Sequence, residues 1–105
     1  MPISSVALQT TETTLCQAGV TEKRAVLSIT FCNTTTADHT LTMYAYISTG
    51  SASDSTTMIK TLTISALDSF LWSSENKFIV MNSDKMSALC DLNNSITATV
   101  NYYVF

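Results

Sequence analysis

Apolar and polar residues alternate one for one along much of this chain. That period of two is the mark of strands buried on one face. Ala25, Leu27, Ile29 and Phe31 fall on one side of such a segment, with Arg24, Val26, Ser28 and Thr30 on the other. Leu41, Met43, Ala45 and Ile47 oppose Thr40, Thr42, Tyr44 and Tyr46, and Ile96, Ala98, Val100, Tyr102 and Val104 oppose Ser95, Thr97, Thr99, Asn101 and Tyr103. Weaker alternation groups Met58, Lys60, Leu62 and Ile64, with Lys60 at a wet end. Phe70 pairs with Trp72, and Met86, Ala88 and Cys90 share a face. Phe78–Met81 is a short apolar run, and a short strand around Thr13–Cys16 opens the set.

Turn chemistry separates these segments. Ala18-Gly19 supplies a residue free to take positive φ. Residues 33–38 form a polar loop, and residues 49–55, rich in Ser with one Gly, form the most flexible one. Ser73-Ser74-Glu75-Asn76, Asn82-Ser83-Asp84 and Leu92-Asn93-Asn94 end the later strands. A short helical turn over Ile64–Leu71 also fits the pattern. Strands this short and regular specify an all-β fold, a compact antiparallel β-sandwich (jelly-roll- or Ig-like) of about seven to eight strands. Residues 1–105 read as one such domain, with no linker or internal repeat. Ser and Thr make up about three residues in ten, and a stiff β-branched hydroxyl suits the wet face of a sheet.

Charge is unusually sparse. Asp, Glu, Lys and Arg are 12% of the chain, against about 25% in a typical soluble domain. Either Ser and Thr hydrate the surface by themselves, or much of that surface is covered in an assembly, as interface cores are depleted in charge. The second reading is preferred. A net charge of −3 without any Lys/Arg run argues against direct nucleic-acid binding. The amino terminus lacks the basic and apolar regions of a secretory signal. No apolar run reaches the roughly 18–20 residues of a membrane helix. Cys16, Cys32 and Cys90 are too few and too scattered for a disulfide framework and read as free thiols. Cys16 and Cys90 would bridge only if their strands were adjacent.

Sites for chemistry are thin. His39, the single histidine, follows Asp38, but neighbours at a strand entrance point apart. One His and three scattered Cys give no zinc spacing. Asp54, Asp68, Asp84 and Asp91 lack an EF-hand pattern. No Gly-rich phosphate loop is present. The chain therefore reads as non-enzymatic, with no metal or cofactor. The aromatic residues carry more weight. Tyr44, Tyr46, Tyr103 and Phe105 fall on the more polar faces, where large rigid rings anchor interfaces. Burial of both strand faces would account for them equally. Trp72 is a fifth candidate anchor, with core burial the preferred role.

Several segments resemble small virion proteins of tailed bacteriophages. Thr14–Gly19 is similar to their first strand and turn, and Ala25–Asn33 to the alternating strand that ends in Asn. Leu62–Phe70 and Ser83–Ala88 resemble their later strand and closing step, with Ser83 standing where Gly is usual. The resemblance implies a capsid decoration (cement) protein, or a head-tail neck or tail/fibre component. It further implies a homo-oligomer or symmetric assembly bound to major capsid, neck or tail subunits. Such a protein is made in the host cytoplasm and ends in the virion. A carbohydrate- or receptor-binding module, with Tyr44, Tyr46 or Trp72 stacked on a sugar, is the reading from a different class.

Overall fold

The computed structural model describes residues 3–104, apart from the side chains of residues 74–78. Eight strands are present among them: β1 (Ile3–Ala7), β2 (Thr13–Gln17), β3 (Lys23–Asn33), β4 (His39–Tyr46), β5 (Thr57–Ile64), β6 (Ser69–Met81), β7 (Lys85–Cys90) and β8 (Ile96–Val104). They form two four-stranded antiparallel sheets, in the orders β1-β8-β3-β6 and β2-β7-β4-β5. Pairs β1·β8, β2·β7, β3·β6 and β4·β5 are the rungs of one long hairpin. Rolling that hairpin up adds the pairs β3·β8 and β4·β7. Consecutive strands change sheet at every step except β4 to β5. This is the jelly-roll arrangement, so of the two sandwich types expected the structure selects the first.

The inner faces interlock in one core. Phe31 and Ile29 of β3, Leu41 and Met43 of β4, Met86 and Ala88 of β7, and Ile96, Ala98 and Val100 of β8 are fully buried there. The faces expected for β7 and for most of β4 and β8 are those observed. Both predicted stripes fray at the end nearer the 47–56 loop, where Ile47 and Val104 are exposed.

The expected alternation fails in β3, because a bulge interrupts it. Val26 and Ser28 face the adjacent residues Tyr102 and Asn101 of β8, leaving Leu27 with no partner there. One extra residue reverses strand parity. Val26 therefore points into the core on one side of the bulge, and Ile29, Phe31 and Asn33 do so on the other. Leu27, expected inside, is half-buried. Similar shifts break register between Thr14 and Cys16 in β2, so that Leu15 and Cys16 are both buried. In β5 a shift near Thr61, whose φ is 51°, turns Leu62 and Ile64 inward while Met58 and Lys60 are exposed.

Other expectations are corrected by partners distant in sequence. No turn occurs at residues 73–76. The backbone of β6 runs through them as a wide bulge, with four residues opposite Leu27. Residues 64–71 form strand, turn and strand rather than helix, and a single 3-10 turn, Asp54–Thr56, lies in the Ser-rich loop. The strand β1 had no expectation at all, and it exists because β8 supplies its ladder. Neither glycine takes positive φ. That conformation falls on Thr61, Leu67, Asn82, Ser83 and Asn94. Asn82 and Ser83 are the middle of the β6–β7 turn, closed by the Asp84 N–H donating to the Met81 carbonyl at 3.0 Å. Gly50 is needed for closeness instead: a Cβ there would lie 3.1 Å from the Cβ of Tyr46.

Polar side chains close both ends of the core, and both come from β3. At one end the Arg24 guanidinium lies 5.1 Å from the centre of the Tyr102 ring. It is also ion-paired with Glu22. At the other end Asn33 is fully buried. Its amide nitrogen donates to the carbonyls of Ala37 (2.8 Å) and Ile64 (2.9 Å), and its oxygen accepts from the Thr35 N–H (3.0 Å) and hydroxyl (2.8 Å). One side chain thus satisfies backbone groups of the β3–β4 loop and of β5.

All three cysteines are free, Cys16 and Cys90 buried and Cys32 half-buried. β2 and β7 are indeed adjacent, but Cys16 faces Met86, four residues from Cys90. At about 3.3 Å per residue that is roughly 13 Å, beyond the reach of a disulfide.

Candidate interaction surface

The two outer sheet faces differ in chemistry. The outer face of the β1-β8-β3-β6 sheet follows from its register in rows across the strands. Ala7, Thr97, Cys32 and Ser69 make one row, and Ser5, Thr99, Thr30 and Leu71 the next. Ile3, Asn101, Ser28 and Ser73 follow, then Tyr103, Ala25 and Ile79. Lys23, at the far end, is the one charged side chain of this face among the described residues. Leu71 is 61% exposed and Ile3 70%. Between them lie small polar residues, so the described part of this face is hydrated by hydroxyls and an amide rather than by charge.

The outer face of the β2-β7-β4-β5 sheet is built around Glu12. Its carboxylate accepts hydrogen bonds from the Tyr46 and Ser87 hydroxyls. Burial pushes the Glu12 carboxyl up, but the two hydrogen bonds and the Lys85 charge outweigh it and hold the group below its ordinary value of 4.5. The same surroundings raise the Tyr46 hydroxyl, through burial first and the Glu12 hydrogen bond second. A depressed carboxyl stabilises the fold above its unfolded value, and that contribution is lost as pH falls through the folded value. Stability is therefore expected to drop on acidification from about pH 5 to pH 3. Glu12→Gln should flatten the drop, as read from denaturation midpoints across that range. An unchanged pH profile in the variant would remove Glu12 from this role.

The five candidate anchors separate on this map. Tyr44 and Tyr46 do lie on an outer face, half-buried, but Tyr46 is held at its hydroxyl by Glu12, and Gly50 sits close against its Cβ. It ties the β1–β2 loop to β4. Tyr103 lies on the outer face of the β1-β8-β3-β6 sheet, beside Ala25. Trp72 points inward from β6 and packs against the core, half-buried. Phe105 lies outside the described residues. The exposed apolar positions Ile3, Leu71 and Ile79 were missed by attention to aromatics. The signal for Leu71 was there, since it alternates with Phe70 and Trp72 and so must face away from them.

The remaining candidates are pins for loops. Asp38 does not pair with His39: its carboxylate accepts from the Ala66 N–H at 3.0 Å. The His39 Nδ1 lies 3.0 Å from the Asp91 carboxylate, which also accepts from the Thr40 N–H. Asp54 pairs with Lys60 at 2.8 Å, and Asp68 accepts from the Ser69 N–H at 2.8 Å. Among the described residues no three His, Cys, Asp or Glu side chains converge as metal ligands, and no pocket is found.

No family model, curated protein or solved structure matches this chain.

Proposed function

We propose that this chain is a non-enzymatic structural protein of a tailed-phage virion, a capsid decoration protein that binds and stabilises neighbouring shell subunits. The observation that carries this reading is the outer face of the β1-β8-β3-β6 sheet. A face whose described residues include one charged side chain and exposed Ile3, Leu71 and Ile79 has little charge to desolvate when covered, and desolvated charge is costly. Apolar residues there gain about 25 cal/mol per Å² buried. The jelly roll is a fold used by viral capsid domains as well as by lectins and enzymes, so the fold is compatible with this role and the surface is its support. The segment resemblances in β2, β3, β5–β6 and β7 point the same way. Repetition of such a contact around a symmetric shell makes a modest affinity durable.

The test is co-sedimentation of the purified chain with assembled shells, and separately with neck and tail subunits, of the phage that encodes it. Saturable binding to shells is expected, abolished by Thr30→Lys in the middle of this face. Binding only to neck or tail subunits would overturn the decoration role in favour of a connector. Indifference to all of them would overturn the virion assignment.

A further inference from the structure

We infer that the free edge of β6 is a self-complementary docking strand whose partner is a second copy of this chain, paired antiparallel about Leu71. This inference goes beyond the shell contact proposed above and does not depend on it.

The edge is open and unguarded over one stretch. β6 is the last strand of its sheet and pairs only with β3. Proteins blunt such edges with charge, proline, bulges or shortness. β1 and β2 are five residues long, and β2 and β5 carry bulges. Residues 69–73 of β6 have none of these devices. Their register against Cys32 to Ser28 is unbroken, and Ser69-Phe70-Leu71-Trp72-Ser73 contains no charge and no proline.

The hydrogen-bond phase says which groups face outward. The Asn33 N–H donates to the Asp68 carbonyl at 2.9 Å. In an antiparallel ladder that bond brackets Cys32 and Ser69 as a pair that does not exchange bonds. Ser69, Leu71 and Ser73 therefore turn their backbone N–H and C=O groups away from β3. The Ser69 N–H is occupied locally by the Asp68 carboxylate, which shields one end of the row.

The sequence of the stretch reads nearly the same in both directions. A two-fold axis through Leu71 places Leu71 opposite Leu71, Phe70 opposite Trp72 and Ser69 opposite Ser73. Each of these is a favourable cross-strand pair, aromatic with aromatic and hydroxyl with hydroxyl. The outward N–H and C=O of Leu71 then meet those of the partner's Leu71 in register, and the Ser73 N–H meets the partner's Ser69 carbonyl. Leu71, 61% exposed in one copy, is covered by the partner's Leu71. The two Asp68 carboxylates lie at opposite ends, roughly 20 Å apart, so they do not meet. An isologous contact of this kind closes at two copies and joins the two sheets into one of eight strands.

The contact is small, so a dimer in the micromolar range is expected, read by sedimentation equilibrium. Leu71→Lys sets two ammonium groups side by side and should raise the dissociation constant at least about tenfold, with unfolding midpoint unchanged at this exposed site. Register is tested by cross-linking in a Cys32→Ser background. Leu71→Cys should form a symmetric disulfide, because Cα atoms of such a pair stand about 5.5 Å apart. Ser73→Cys should not, its copies being roughly 13 Å apart. A monomer up to about millimolar concentration, far above the affinity class of such contacts, overturns the inference. So does an unaffected Leu71→Lys variant, or equal cross-linking by both cysteines.

Discussion

Deleting Thr30 from β3 is expected to remove about 3–6 kcal/mol of stability, while deleting Leu27, three residues away, removes about 1 kcal/mol. The contrast comes from the bulge. Leu27 is the residue that β8 leaves unpaired. Without it Val26 and Ser28 become ordinary neighbours on the strand, and every inward side chain keeps its direction. Only the half-buried leucine surface is lost. Without Thr30 the strand must absorb a missing residue by straightening the bulge. Ile29 then turns to solvent and the Ser28 hydroxyl turns into the core. Burying Ile is worth about 1.5–3 kcal/mol, and an unpaired hydroxyl costs about 1–3. Against a total near 5–15 kcal/mol, the Thr30 deletion sits at the edge of folding. Urea unfolding of the two deletions reads this directly. Equal losses would mean that the bulge at Leu27 does not set the phase of β3.

Asn33→Leu is expected to destabilise by about 2–4 kcal/mol, although it is nearly isosteric and more apolar. The buried amide satisfies two carbonyls and a backbone N–H at 2.8–3.0 Å. A leucine leaves those backbone groups without this partner in a place water reaches poorly. Removing one member of a buried network costs more than the network contributes, because the orphaned partners bear the desolvation penalty. For a chain of this length the change should lower the melting temperature by roughly 10–20 °C. Calorimetry of the variant checks it. A loss under about 1 kcal/mol would show that the loop relaxes to satisfy itself.

Neither residue stood out in the sequence. Asn33 follows an apolar run and reads there as the first residue of a polar loop. Its burial arises because β5, 31 residues later, brings the Ile64 carbonyl to it. The candidate surface was legible only in part. The low charge and the outward direction of Tyr44, Tyr46 and Tyr103 follow from alternation alone. That Tyr46 is locked to Glu12, and that Trp72 faces the core, depends on which strands become neighbours.

The sequence by itself determined the kind of object. Period-two alternation in β4, β7 and β8 is a local property, fixed by the geometry of extended chain, and it sufficed for two packed sheets. It also determined the scarcity of charge, which composition states outright. Tertiary structure alone decided the phase and the partners. Bulges at Leu27, beside Leu15 and near Thr61 reverse parity for reasons that lie on the facing strand. β6 continues through residues 73–76 because β3 supplies ladder bonds on both sides of them, outweighing their turn preference. β1 is a strand because β8 lies beside it. A strand's ladder hydrogen bonds are made with other segments of the chain, so its own residues specify a face but not a neighbour.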